Sequence, residues 1–148
     1  MRLNTRDIDC QHPQCHWQMD VTEVDQDDGF AIRLHLNAIL PNASSPLRQQ
    51  LTFTIDELWL TGPAFDAFSQ MLSSQAVAEL YDMSLNLVAR LTQTNDACTL
   101  ELNPTATAAT ANSTAVNQTT APLTVTLTLT PDFYLQLGRT LQQFAKWW

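Results

Sequence analysis

Apolar residues fall on every second position from Phe30 onward: Phe30, Ile32, Leu34, Leu36, Ala38 and Leu40 alternate with Arg33, His35 and Asn37. A period of two sends successive side chains to opposite faces of a pleated strand, so this run predicts a long strand with one buried face. Just before it, Trp17, Met19 and Val21 alternate with Gln18 and Asp20. Between the two runs lies Asp25-Gln26-Asp27-Asp28-Gly29, where acidic turn formers and a glycine tolerant of positive φ predict a hairpin tip. Pro41-Asn42-Ala43-Ser44-Ser45-Pro46 reads as the next loop. Leu51, Phe53 and Ile55 resume the alternation, but Glu57 would then face the core, so a bulge or kink is predicted at Asp56-Glu57. That slip leaves open whether Trp59 or the pair Leu58 and Leu60 points inward.

Thr61-Gly62-Pro63 predicts a helix start, with Thr61 or Gly62 as the cap and proline in the first turn, where its missing N–H costs nothing. Phe65, Phe68, Met71 and Leu72 follow at helical spacing, which gives a helix over 63 to 74. Met83, Leu85, Leu87, Ala89 and Leu91 form a second long alternating run, and Thr94-Asn95-Asp96 turns it back toward Cys98, Leu100 and Leu102. Residues 103 to 122 are rich in Thr, Ala, Asn and Ser, carry no charge and have only Val116 as a large apolar side chain. Such a stretch buries too little surface to offset its ordering entropy and is expected to be a mobile loop. Leu123, Val125, Leu127 and Leu129 alternate with threonines as a last strand. Thr130-Pro131-Asp132 then supplies a cap, a first-turn proline and a carboxylate at the positive helix end. The apolar stripe Phe133, Leu137, Leu141, Phe144 and Trp148 carries that helix over 131 to 147 and implies a docked final turn.

Strand, Thr and Pro, then helix occurs twice, which reads either as two βββα units sharing one sheet or as a chance repetition of helix punctuation. The expected fold is α+β: one domain over 1 to 148, with a mostly antiparallel sheet of about six strands and both helices on one face. The inward set is expected to include Phe30, Ile32, Leu34, Leu36, Phe53, Phe65, Phe68, Leu85, Leu87, Leu100, Val125, Leu127, Leu137, Leu141 and Phe144.

A chain of 148 residues that is 45% hydrophobic is long enough for one domain with a real core. Its apolar runs are too short to cross a membrane, and the opening MRLNTRDIDC does not read as a secretory signal, so a cytoplasmic protein is expected. Fifteen acidic residues against seven basic ones give a formal charge of −8. Phosphate binding needs Lys and Arg to displace counterions, so nucleic acid and anionic membranes are not expected partners. The acidity serves either solubility or attraction to a basic protein partner.

Cys10, His12, Cys15 and His16 are the densest set of metal-capable side chains, but all four lie within seven residues ahead of the first predicted strand. A closed zinc site wants two separated ligand pairs, so no metal is expected there; a Cys10–Cys15 disulfide and incidental residues remain the other readings. Asp25, Asp27, Asp28 and Gly29 look like the start of a calcium loop, yet no glutamate closes it, since Leu36 stands at its twelfth position. His35 projects from a polar strand face and is expected to be solvated or hydrogen-bonded. No serine sits in a nucleophile elbow and no Gly-rich phosphate loop exists, so no catalytic residue, no enzyme activity and no cofactor is expected. For a basic partner, the clustered carboxylates Glu23, Asp25, Asp27 and Asp28 on the first hairpin are the expected contact.

The segment from Leu51 to Leu102 resembles the WapI-type bacterial immunity proteins: a strand, a short helix of the form Phe65-Asp66-Ala67-Phe68-Ser69-Gln70-Met71-Leu72, then paired leucine-alternating strands. A last strand running into a helix near Asp132 extends the resemblance, while 103 to 122 and the Cys/His-bearing N-terminus depart from it. The resemblance implies a protein that binds and blocks a cognate toxin domain. The competing classes are a structural or oligomerising module, with an apolar patch around Trp59 and Trp147, and a small-ligand or enzymatic domain with a pocket of converging polar groups.

Overall fold

The computed structural model describes residues 7–25, 29–40, 49–103, 109–113 and 125–144. In chain order they form β1 (Asp7–Gln11), β2 (Cys15–Asp25), β3 (Gly29–Leu40), β4 (Gln49–Leu60), α1 (Gly62–Ser74), β5 (Val77–Tyr81), β6 (Leu87–Gln93), β7 (Cys98–Leu102), β8 (Ala109–Ser113), β9 (Val125–Leu129) and α2 (Asp132–Gln142). The fold is α+β with antiparallel pairing throughout, but the strands divide between two sheets instead of sharing the one sheet of about six that the alternation suggested. One is five-stranded in the order β1-β2-β3-β4-β8, the other four-stranded in the order β5-β6-β7-β9.

The repeated punctuation thus marks two units, each a four-strand meander followed by a helix: β1-β2-β3-β4-α1 and β5-β6-β7-β9-α2. The two units have separate sheets. The sequence missed the first strand of each. In β1, Ile8 and Cys10 are buried and Asp9 is exposed, so the Cys/His stretch lies partly within a strand. In β5, only Ala78 and Leu80 are buried. The run read as Met83-Leu85-Leu87 is not a strand before Leu87: Leu85 has φ +65° and is 81% exposed, and Leu87 is half-buried. A chain reversal at Asp82–Asn86 explains this, because the Asp82 carboxylate accepts hydrogen bonds from the Ser84 and Asn86 backbone N–H groups, both at 2.9 Å.

Two further corrections concern the second unit. Ala109–Ser113, within the stretch expected to be a loop, pairs with Leu51–Ile55 of β4; residues 104–108 and 114–124 lie outside the described residues. Helix α2 ends at Gln142 instead of 147, and the expected docking of Trp148 falls outside the described residues. Thr61 caps α1 as expected, accepting from Ala64 N–H at 3.1 Å, but the Thr130 hydroxyl gives its hydrogen bond to the Asp132 carboxylate and caps no N–H of α2.

Neither helix simply lies on one sheet face. Helices α1 and α2 pack on each other, with Gly138 so close that an added Cβ would sit 3.2 Å from the Leu72 Cβ. Tyr134 donates to the Gln75 carbonyl at 2.6 Å, which ties α2 to the end of α1. From α1, Phe68 stacks on Trp17 of β2 and Phe65 meets Phe30 of β3 edge-on, while α2 reaches β1 and β7. The buried side chains of both sheets and both helices form one apolar cluster. Except for Leu85, Leu87 and the half-buried Val125 at its margin, the expected inward set lies within it.

Candidate functional site

The outer face of the five-stranded sheet is polar along most of its length. His35 Nδ1 meets Thr54 Oγ1 at 3.0 Å, and Gln50 and Thr52 both donate to Asn37 Oδ1. Toward the β2–β3 hairpin the sheet changes character. Val21 faces Ile32 and Glu23 faces Ala31, so Thr22 is an extra residue in β2; on the other side Leu58 faces Ile32 and Ile55 faces Leu34, so Asp56 and Glu57 together oppose Arg33. Bulges therefore flank β3 on both sides at nearly the same level. A bulge raises local twist and re-aims side chains, which sets the hairpin end apart from the rest of the sheet.

The slip expected at Asp56-Glu57 is present, and it settles the orientation beyond it: Leu58 and Leu60 are fully buried, whereas Trp59 is half-buried on the outer face. Glu23, Ala31 and Trp59 stand in one row across three strands. The Trp59 indole N–H donates to Glu57 Oε1 at 3.0 Å, which keeps an aromatic ring and a carboxylate side by side. Glu23, Asp25, Asp56 and Glu57 are all exposed, and Arg33 Nε lies 4.0 Å from Asp56 Oδ1. Of the four carboxylates expected to form the contact, Glu23 and Asp25 occupy the end of β2, while Asp27 and Asp28 lie outside the described residues. Sequence reasoning missed Asp56, Glu57 and Trp59 as neighbours of this group, because they are some thirty residues away and only the β3–β4 register brings them over.

A second polar cluster joins the two ends of the chain. His12 is buried at the β1–β2 turn; Gln14 N–H donates to its Nδ1 at 3.1 Å, so the ring proton sits on Nε2, which lies 3.1 Å from Asp132 Oδ2 and 3.3 Å from Thr130 Oγ1. Gln14 Oε1 accepts from Thr130 N–H at 2.8 Å. Both imidazole nitrogens are thus engaged, and no lone pair is left to take a proton from a substrate. The Thr130 and His12 hydrogen bonds hold the Asp132 carboxyl below its ordinary value of 3.8. This favours folding above pH 3.8, and the contribution disappears as pH falls through the lowered value. Asp132→Ala should accordingly lower Tm by a few degrees at pH 7, with the deficit shrinking steadily below pH 4. A deficit unchanged at pH 2 would refute the carboxylate's role.

Beside this cluster an open cleft of about 220 Å³ is lined by His12, Gln14, His16, Asn37, Ile39 and Gln50 among others. That is below the roughly 300–1,000 Å³ usual for small-molecule sites. Its His16 is bonded to Asp9. Cys10 and Cys15 are free, buried thiols, and so is Cys98. Burial pushes Cys15 and Cys98 up to about 12, so they stay protonated and poorly nucleophilic. Among the described residues no group of three or more His, Cys, Asp or Glu side chains is placed to hold a metal ion, and no helix is long and apolar enough to cross a membrane. No family model, curated protein or solved structure matches the chain.

Proposed function

We propose that this chain is a non-enzymatic, acidic binding protein that recognises a basic protein surface, as an immunity protein does when it blocks a toxin domain. The observation that carries the reading is the gathering of Glu23, Asp25, Asp56 and Glu57 around Trp59 at the double-bulged end of the sheet. Carboxylates fixed on paired strands attract a cationic partner without first having to be ordered, and a net charge of −8 adds long-range steering. The engaged imidazole of His12 and the protonated buried thiols favour binding over catalysis. The weak pattern shared with WapI-type immunity proteins favours a toxin domain as the partner.

The test is association with the polypeptide encoded by the adjacent gene, comparing the natural chain with a Glu23→Gln, Asp25→Asn, Glu57→Gln variant. Glutamine at 57 keeps an acceptor for the Trp59 indole. The variant should fold normally and associate about tenfold more slowly at low ionic strength, with the gap closing near about 0.5 M salt. Equal rates and equal salt response would exclude these carboxylates as the recognition surface.

A further inference from the structure

The open cleft beside the β1–β2 turn lies at the opposite end of the five-stranded sheet from the acidic hairpin group, so its ligand is independent of the reading above. Three polar side chains that line it are fastened at one end and, among the described residues, unpaired at the other. Asn37 Oδ1 accepts from Gln50 Nε2 at 3.0 Å and from Thr52 Oγ1 at 2.9 Å, which occupies both lone pairs and leaves the Asn37 amide NH2 as a donor. Gln14 Oε1 accepts from Thr130 N–H, which likewise leaves an amide NH2 donor. His16 bonds the Asp9 carboxylate through Nε2, so in the neutral ring Nδ1 carries a lone pair. His16 and Asn37 are partners across β2 and β3, which sets an acceptor and a donor side by side on Cβ atoms about 5 Å apart. Ile39, 38% exposed, supplies an apolar wall to the same cleft.

We infer that this cleft binds one ring of a neutral sugar, either free or at the end of a glycan. Adjacent sugar hydroxyls each donate and accept, which matches the His16 lone pair beside the Asn37 and Gln14 amides, and the C–H face of the ring matches Ile39. A volume of about 220 Å³ is small for a drug-sized ligand but suits a single six-membered ring with its hydroxyls. Charge argues against an anion: no Lys or Arg is among the lining residues, and Asp9 and Asp132 stand on His16 and His12. Position argues against an extended peptide. Such a peptide pairs its main chain with a sheet edge, whereas this cleft opens on the face of β2, β3 and β4. With isoleucine in place of an aromatic platform, binding is weak, with Kd about 1–10 mM.

The test titrates glucose, galactose, mannose and N-acetylglucosamine into the intact protein, following the Asn37 side-chain amide and the Ile39 methyl by NMR. In parallel the protein is applied to a dense glycan array, where avidity offsets weak single sites. At least one neutral sugar should move both signals with a midpoint of about 1–10 mM. Array capture in addition marks a glycan end as the ligand, and titration without capture marks a free sugar. Asn37→Asp keeps an oxygen for Gln50 and Thr52 but removes the donor, and should weaken binding about tenfold or more. Ile39→Lys changes an exposed side chain and fills the cleft, so it should abolish binding even if Asn37→Asp fails to fold. The Glu23→Gln, Asp25→Asn, Glu57→Gln variant should bind sugar as the natural chain does. Silence of both signals up to about 100 mM sugar, with no array capture, would overturn the proposal. So would full affinity in Ile39→Lys, or tighter binding of glucuronate than of every neutral sugar.

Discussion

Leu137→Asp should fail to give a folded protein. Leu137 is fully buried on α2, within the apolar cluster formed by both sheets and both helices. Burying the charge, or protonating it to avoid the charge, costs about 4 kcal/mol or more once the lost packing is included. That approaches the lower end of the roughly 5–15 kcal/mol that holds a typical domain together. Thermal unfolding followed by near-ultraviolet circular dichroism should show no cooperative transition at 25 °C and above. A folded variant with an unchanged Tm would refute the packing of α2.

Gly29→Ala should be the next most damaging single change. Gly29 has φ +137°, outside the range open to residues with a side chain, and a Cβ there would lie 2.2 Å from the Leu60 backbone carbonyl oxygen. That oxygen belongs to β4 and cannot rotate away, so the hairpin would have to lift from its neighbour. We expect a loss of about 3 kcal/mol, measured by urea denaturation. Association should also weaken, because lifting the hairpin displaces Glu23 and Asp25 from Trp59 and Glu57. Retention of full stability would show that the β2–β3 connection relaxes more freely than the Leu60 contact implies.

The long central strands were legible because their alternation runs for many residues: β3 and β4 are both 12 residues long, and even the bulge in β4 was visible as Glu57 falling on the wrong face. The helix starts were legible from Thr and Pro. The short first strands were not, because five residues such as Val77–Tyr81 offer only two core positions, one of them an alanine. Leu85 was misplaced because a single left-handed residue between Met83 and Leu87 preserves an alternating spelling while reversing the chain. The signal that would have found it is the trio Asp82, Ser84 and Asn86, whose side chains favour turns. For the candidate site, half of the carboxylate group could be read from the hairpin composition. Asp56, Glu57 and Trp59 join it through strand register, a long-range property that local pattern does not encode.

The outer edge of β4 is completed entirely by chain that comes later: β8 pairs with Leu51–Ile55, and Met83 N–H takes the Trp59 carbonyl. During synthesis from the N-terminus, a polypeptide that has emerged only as far as α1 therefore presents β4 as an unpaired edge, with Leu51, Phe53 and Ile55 along the strand. Such edges template pairing between molecules. Chain that follows α1 closes that edge in two places, first at residue 83 and then at residues 109–113. Premature termination between α1 and β5 would thus release a fragment prone to self-association, whereas truncation after α2 leaves both closures in place.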